Sequence, residues 1–432
     1  MLNVKKGKLA VFLLSLTYTT SLHAQGINFE KKLSWQQVKD KAQKETKYIF
    51  VDCSATWCGP CKKMEKEVFA AEKVGDFFNK NFISVKLQMD STAKDNDQVK
   101  SWHATASAFK KQYKITAYPT YLYFSPNGKI LNKNIGFYDV EKFISMSKNS
   151  LNPDNQYYTL LENYQQGKKN YNILPQLATA AKRFNDTAIA GIMARDYLNY
   201  LSLLDENLLY TKDNITFIKT FLYEHKSYFN LFYNNRSKID SIMNQKGYAQ
   251  SIVDNFISSE AIFPFLKEAD KTNKKPDWQK IQYEVSKKYY PEDADRNLLL
   301  NKLRWSDYKN DWGDYAHAAL EMFERHKENI DAFNLNNFAW NTFMNITDSS
   351  LLKAALSWSS RSLELSSPDL LPNHMDTKAN IVYKLGHTSE ALILEKKALL
   401  LAEKQNQEGV VKQCKENIVK METGIPTWNT KQ

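Results

Sequence analysis

Apolar positions along this chain follow two periods, and the change between them falls near residue 150. Before it, strand-like runs alternate with stretches of helical spacing. Tyr48-Ile49-Phe50-Val51 is a continuous apolar run, and Phe82 to Met89 alternates as a strand does. Thr120 to Phe124 and Lys129 to Ile135 flank Ser125-Pro126-Asn127-Gly128, which predicts a hairpin. Ile27 and Phe29 are placed to start an edge strand. Helical spacing appears at Trp35, Val38 and Ala42 behind a capping Ser34, then at Met64, Val68 and Phe69, and again at Val74, Phe77 and Phe78. A polar segment, Ser91 to Lys100, leads into Trp102, Ala106, Phe109 and Tyr113, and a last helix runs from Asp139 to about Ser147. Residues 25–150 therefore read as one α/β unit.

From residue 151 onward, 282 residues hold only seven glycines, and the apolar residues recur at three and four. Leu198, Leu201 and Leu204, then Ile215, Ile218, Phe221 and Leu222, are examples of this all-helical character. Near the end a repeat emerges. Ala318, Ala355 and Ala391 stand 37 and 36 residues apart, each inside a helical segment, where a small residue lets neighbouring helices approach. With Gly313-Asp314-Tyr315 and Gly386 each five residues before the first or last of those alanines, residues 310–402 resemble tetratricopeptide repeats. The match is partial. The tryptophan, leucine and glycine of the repeat's first helix are mostly absent at 375–379, and the middle unit carries about four extra residues before Ala355. Residues 306–432 are thus expected to be helical repeats, and 151–305 either degenerate units of the same solenoid or a separate helical domain. The plentiful Phe, Tyr and Trp of this half read as packing between helices.

Composition changes this picture mainly at the N-terminus. Lys5, Lys6 and Lys8 precede the apolar run Leu9 to Leu16, and Leu22-His23-Ala24 offers a small residue for cleavage, so residues 1–24 read as a secretory signal peptide. An uncleaved anchor is the alternative. The run is short for a membrane span, no later segment approaches twenty apolar residues, and no cysteine follows it to carry a lipid. The mature product is expected to be exported, periplasmic or otherwise extracytoplasmic, without stable membrane insertion, in a compartment where disulfides form. Removing the three leader lysines takes the net charge from +11 to +8. That charge is spread among acids with no dense basic block, which argues for a solvated surface and against nucleic-acid binding.

The chemistry sits at Trp57-Cys58-Gly59-Pro60-Cys61, between the run at 48–51 and the helical stretch that follows. A strand thus delivers two cysteines to the first turn of a helix. Unpaired N–H groups and the positive end of the helix dipole favour an anion at Cys58, making it the natural attacking thiolate. Cys61, back under Cys58 within one turn, can resolve a mixed disulfide or close an intramolecular one. Pro60 lies early in the helix, where its missing N–H costs little. Half of a zinc site has the same spacing, but Cys53, Cys414 and the scattered histidines provide no second pair of ligands, so no metal or other cofactor is expected. Cys53 and Cys414 read as buried structural thiols.

This stretch resembles the thioredoxin family, and the resemblance covers residues 25–150. Val51-Asp52 resembles the family's buried carboxylate beneath the resolving cysteine, and Val85-Lys86-Leu87 the next strand, with its lysine near that carboxylate. Ala117-Tyr118-Pro119-Thr120 resembles the loop whose proline is cis and faces the dithiol, and Asn127-Gly128 with Ile135-Gly136 the closing hairpin. The resemblance implies a thioredoxin fold, a central mixed sheet with helices on both faces. It implies Cys58 and Cys61 as a redox-active pair, Asp52 as proton acceptor for Cys61, and Lys86 as its modulator, although a strand lysine with an exposed head fits as well. Trp57, Gly59, Pro60, Tyr118, Pro119 and Thr120 would form the surface that receives a partner. Tyr118 is bulkier than the residue common in cytosolic thioredoxins, so their partner choice does not carry over.

Gly59-Pro60 is the pair thioredoxins themselves use, which implies a reductant of protein disulfides. A reductant outside the cytoplasm implies a membrane thiol carrier as its electron donor, and the helix Lys62 to Phe69 resembles exported thioredoxin-like proteins supplied in that way. The expected partners are disulfide-containing or thiol proteins, with the helical half holding the polypeptide. Two other readings stand beside this one. In one, the helical half is a scaffold or peptide-binding module and the α/β unit serves for docking. In the other, the protein is a disulfide isomerase.

Overall fold

Strand β2, Tyr48–Ser54, is the axis of a five-stranded mixed sheet, as its continuous apolar run requires of a strand covered on both faces. A computed structural model of the chain describes residues 26–430; the expected signal peptide at 1–24 lies outside the described residues. With β1 (Phe29–Glu30), β3 (Phe82–Gln88), β4 (Thr120–Phe124) and β5 (Ile130–Ile135), the strand order is β1-β3-β2-β4-β5. β2 runs parallel to β3 and antiparallel to β4, and β4 and β5 form the expected hairpin.

The alternation of β2 sorts its side chains between two cores. Ile49, Val51 and Cys53 face helices α1 (Trp35–Glu45) and α4 (Asp97–Gln112) through Val38, Trp102 and Phe109. Phe50 faces α2 (Gly59–Lys63), the π-helical turn Met64–Phe69 that continues it, α3 (Glu72–Asn81) and α5 (Val140–Asn149), packing with Met64, Phe78 and Phe143. Asp52, two residues on from Phe50, therefore belongs to the α2 face, and Cys53 to the opposite one. Ser34 caps α1 in a reciprocal box with Gln37, and Asp139 caps α5.

Sequence character changes after Asn149, yet the chain's two compact units divide after His225. Helices α6 (Tyr157–Gln165), α7 (Leu174–Arg183), α8 (Thr187–Leu204) and α9 (Lys212–Thr220) belong to the first unit. Lys133 on β5 is one reason. Its side chain is buried, and its Nζ donates to the carbonyls of Tyr113 (2.7 Å), Lys114 (3.2 Å) and Phe184 (3.4 Å), tying the ends of α4 and α7 to the sheet. Those carbonyls are ones a helix end leaves without internal donors. Asn132 adds a second tie, since its Oδ1 accepts from the Tyr157 N–H at 3.1 Å.

The second unit is helical, with α10 (Phe229–Asn234), α11 (Arg236–Met243), α12 (Tyr248–Ile257), α13 (Phe263–Lys271) and α14 (Trp278–Ser286) leading into longer helices. These are α15 (Pro291–Lys309), α16 (Trp312–His326), α17 (Ala332–Asn345), α18 (Ser349–Leu365), α19 (Leu371–Lys384), α20 (Thr388–Lys404) and α21 (Glu408–Glu422). α15 packs on α16, α17 on α18, and α19 on both α20 and the helix after it. The periodic alanines Ala318, Ala355 and Ala391 occupy the second helix of each successive pair and are all buried.

Candidate functional site

The loop after β2 carries Cys58 to the position just before α2. There its Sγ accepts a hydrogen bond from the Cys61 N–H at 3.1 Å, and Cys58 and Cys61 are joined as a disulfide. Gly59 and Pro60 fill the first helical positions, where Pro60 forgoes no bond. Thr56 fixes the approach to the loop: its N–H donates to Asp90 Oδ1 at 3.0 Å and its hydroxyl donates to the same carboxylate. Asp90, just beyond β3, had no local signal in the sequence, because only the pairing of β2 with β3 brings it there.

Around the sulfurs the surface is apolar. Both cysteines are buried against Ala55 and Tyr118, and Trp57 stands 70% exposed with its ring edge-on to Tyr118 at 5.7 Å. The Tyr118–Pro119 peptide is cis, as the resemblance implied. The Pro119 carbonyl accepts from the Gly136 N–H at 3.0 Å, and Gly136 has φ +112°, a conformation L side chains rarely adopt. Thr120 is buried and its hydroxyl donates to Ala117 O at 2.7 Å, so its side chain shapes the loop from inside.

Asp52 lies on β2, on the sheet face that α2 covers. Strand register sets it opposite Lys86 on one side and Tyr121 on the other. It is 1% exposed, and neither carboxylate oxygen receives a hydrogen bond of ordinary geometry; the Tyr121 hydroxyl beside it is likewise buried without a partner. Burial is what raises its pKa to about 7, opposed by Lys86 and assisted by Glu65. Lys86 keeps its head in solvent, in an ion pair with Glu65 on the turn that follows α2. The Lys86 amine is thus exposed, and its charge opposes the rise in the Asp52 pKa. Glu65, Lys86 and Cys61 line a crevice of about 260 Å³ that also reaches Ser54 and Trp102. It gives the inner sulfur a polar flank separate from the Trp57 surface.

The other two cysteines are free thiols and buried. Cys53 points to the α1 and α4 face, away from the dithiol, and burial pushes its thiol well above the ordinary value. Cys414 lies on α21 in the second unit. Tyr121, Glu65 and Asp90 join the site without having been legible in the sequence.

A family model described as a thioredoxin-like domain matches residues 35–150. Among curated relatives, the thiol:disulfide interchange protein DsbD of Pseudoalteromonas atlantica is 32% identical over 126 residues, covering 29% of this chain and 18% of that protein. Thioredoxin Asp f 29 of Aspergillus fumigatus is 28% identical over 109 residues, 25% of this chain and 84% of that protein. The chain spans about a fifth of the length of the DsbD proteins it matches. Among solved structures, a putative disulphide-isomerase from Bacteroides thetaiotaomicron is 32% identical, with 30% of this chain and 95% of that one covered at a TM-score of 0.25.

Proposed function

From the premise that residues 35–150 are a thioredoxin-like domain, we propose that the protein is an exported thiol–disulfide oxidoreductase that reduces disulfides of other polypeptides through Cys58 and Cys61. The observation that carries this reading is a cysteine pair joined as a disulfide at the start of α2, flanked by the exposed Trp57, with a buried carboxylate that no hydrogen bond satisfies on the same sheet face. The Cys58 thiolate attacks one sulfur of a partner disulfide, forming a Cys58–partner bond and releasing the partner's other sulfur as a thiolate. The Cys61 thiol passes its proton to Asp52 and attacks Cys58 Sγ. This closes Cys58–Cys61 and releases the second partner thiolate, so two electrons pass to the partner. An acid whose pKa lies at about 7 takes and returns a proton at neutral pH with little bias either way.

Trp57, Tyr118 and the cis-proline loop form the docking surface for an extended segment of the partner. Regeneration requires an outside reductant, for which a membrane thiol carrier is the proposed donor; the likeness to proteins named thiol:disulfide interchange protein DsbD supports thiol–disulfide exchange with another protein. No helix among the described residues is long and apolar enough to cross a membrane. The stacked helix pairs of the second unit, with their resemblance to tetratricopeptide repeats, are read as the arm that holds the partner polypeptide.

Trapping tests the assignment. Cys61→Ser accumulates partners on Cys58 as mixed disulfides, whereas Cys58→Ser accumulates few. Equal trapping by the two variants overturns the assigned roles.

A further inference from the structure

Three side chains that are far apart in sequence meet inside the second unit. Asp376 on α19, Glu395 on α20 and Cys414 on α21 are at most 5% exposed, and one ligand atom from each lies within 4.8 Å of the others. We propose that Asp376, Glu395 and Cys414 form a binding site for a zinc-type divalent cation that locks the last three helices together.

Helix packing alone does not call for acids at these positions. Glu395 shares the buried face of α20 with Ala391, Ala398 and Ala402. The register set by the periodic alanines puts Ser359 at the corresponding place in α18 and Met322 in α16, both neutral and both buried. Two carboxylates are thus taken out of water where the same architecture uses uncharged side chains. Among the described residues, no lysine, arginine or histidine acts on either acid. Burying such charges without a counter-charge is strongly unfavourable, so either protons or a cation must neutralise them.

The hydrogen bonds show which oxygens are already held. Asn417 Nδ2 donates to Asp376 Oδ1 at 2.8 Å and to Glu395 Oε1 at 3.4 Å, and Asn380 Nδ2 donates to Asp376 Oδ1 at 3.2 Å. These amides orient the carboxylates from one side, as the supporting partners of metal ligands do. Glu395 Oε2 is buried without a hydrogen bond of ordinary geometry, on a residue that is 0% exposed, and Glu395 interacts with the Asp376 carboxyl and the Cys414 thiol. Asn380 Oδ1 is also buried and unpartnered, one turn along α19 from Asp376.

Two carboxylates and a thiolate suit a borderline-soft cation such as Zn²⁺, whereas Mg²⁺ and Ca²⁺ prefer oxygen alone. Bond lengths of about 2.0 Å to oxygen and 2.3 Å to sulfur place tetrahedral ligands about 3.5 Å apart, a contraction that side-chain rotation supplies. Binding exchanges the Cys414 thiol proton, and whatever proton the acids share, for the cation. The enclosed position fits a structural ion, since a catalytic one keeps an open coordination place.

The test uses the full chain with Cys58–Cys61 kept oxidised, so that the dithiol cannot bind metal. The protein is unfolded with chelator, then refolded anaerobically with Zn²⁺ or with Co²⁺. The expected result is one metal per chain after desalting, a higher thermal midpoint than for the metal-free sample, and a thiolate-to-cobalt charge-transfer band. Cys414→Ala loses the band, the near-isosteric Glu395→Gln weakens affinity at least about tenfold, and Cys53→Ala leaves both unchanged. If the wild type retains no metal by this route, or if Cys414→Ala keeps the charge-transfer band, the proposal is overturned.

Discussion

Each of the two units buries an acid with at least one carboxylate oxygen left without a hydrogen-bond partner, both oxygens of Asp52 in one and Glu395 Oε2 in the other, and the two arrangements differ in what surrounds them. Asp52 lies on the sheet face covered by the helix that carries the disulfide, whose flanking Trp57 is 70% exposed, and Cys58 Sγ accepts an N–H at the start of that helix. Asp376 and Glu395 lie among three helices, where Cys414 is fully buried and burial pushes its thiol far up. A buried acid beside a thiol is therefore not in itself a redox site. Access for a partner, together with N–H groups that stabilise the thiolate, makes one. Where access is missing, the same groups need a neutralising proton or cation.

The strongest way to break this contrast is to remove a thiol from each unit. Cys58→Ser should abolish reduction of a protein disulfide, by on the order of a thousandfold or more, while Cys414→Ala should leave the rate unchanged in the same turnover assay. Loss of activity in Cys414→Ala with normal folding would join the two sites functionally, which the account does not allow.

Asp52→Asn sharpens the contrast through pH. The folded pKa of Asp52, about 7, lies above the ordinary 3.8, so between those values the folded state binds more protons than the unfolded state. Stability from this group is then complete below about pH 4 and declines as pH rises towards 7. The asparagine variant escapes that decline. It should be more stable than the wild type by about 4 kcal/mol above pH 7.5 and level with it near pH 4, read from denaturant unfolding of the oxidised proteins. The same variant should slow the resolving step more than the first attack, about a hundredfold, in stopped-flow kinetics on a model disulfide.

Two smaller effects separate scaffold from surface. Lys133→Met leaves the carbonyls of Tyr113, Lys114 and Phe184 without their donor and should destabilise the first unit by about 3 kcal/mol, measured by chemical unfolding. Trp57→Ala removes an exposed ring and should change stability by less than about 0.5 kcal/mol, while raising the KM for a protein disulfide.

What the sequence disclosed follows the range of the interactions involved. The strand, the dithiol and the helix after it are contiguous, so their periods and caps suffice, and the register of buried alanines at 318, 355 and 391 located the second helices of three pairs. Pro119 and Asp52 were legible only through a family resemblance, because nothing in their local pattern distinguishes a cis proline or a buried acid. Tyr121, Glu65 and Asp90 reach the site through strand pairing and the course of the helix after Cys61, and no spacing along the chain encodes that. The same holds for Asp376, Glu395 and Cys414. They stand nineteen residues apart in each step, far from any short metal-ligand spacing, and helix stacking alone brings them together. The division after His225 was equally hidden, since Lys133 is an ordinary strand lysine until α7 packs over it.

The most direct test of the central claim is the equilibrium reduction potential of Cys58–Cys61 in the full chain, titrated against a thiol buffer and read by mass after alkylation. The account predicts a reversible two-electron titration near the thioredoxin value of about −270 mV, with Cys53 and Cys414 unmodified throughout. A midpoint near about −180 mV would contradict the reductant reading in favour of a disulfide isomerase, and the absence of any reversible titration would contradict the redox assignment itself.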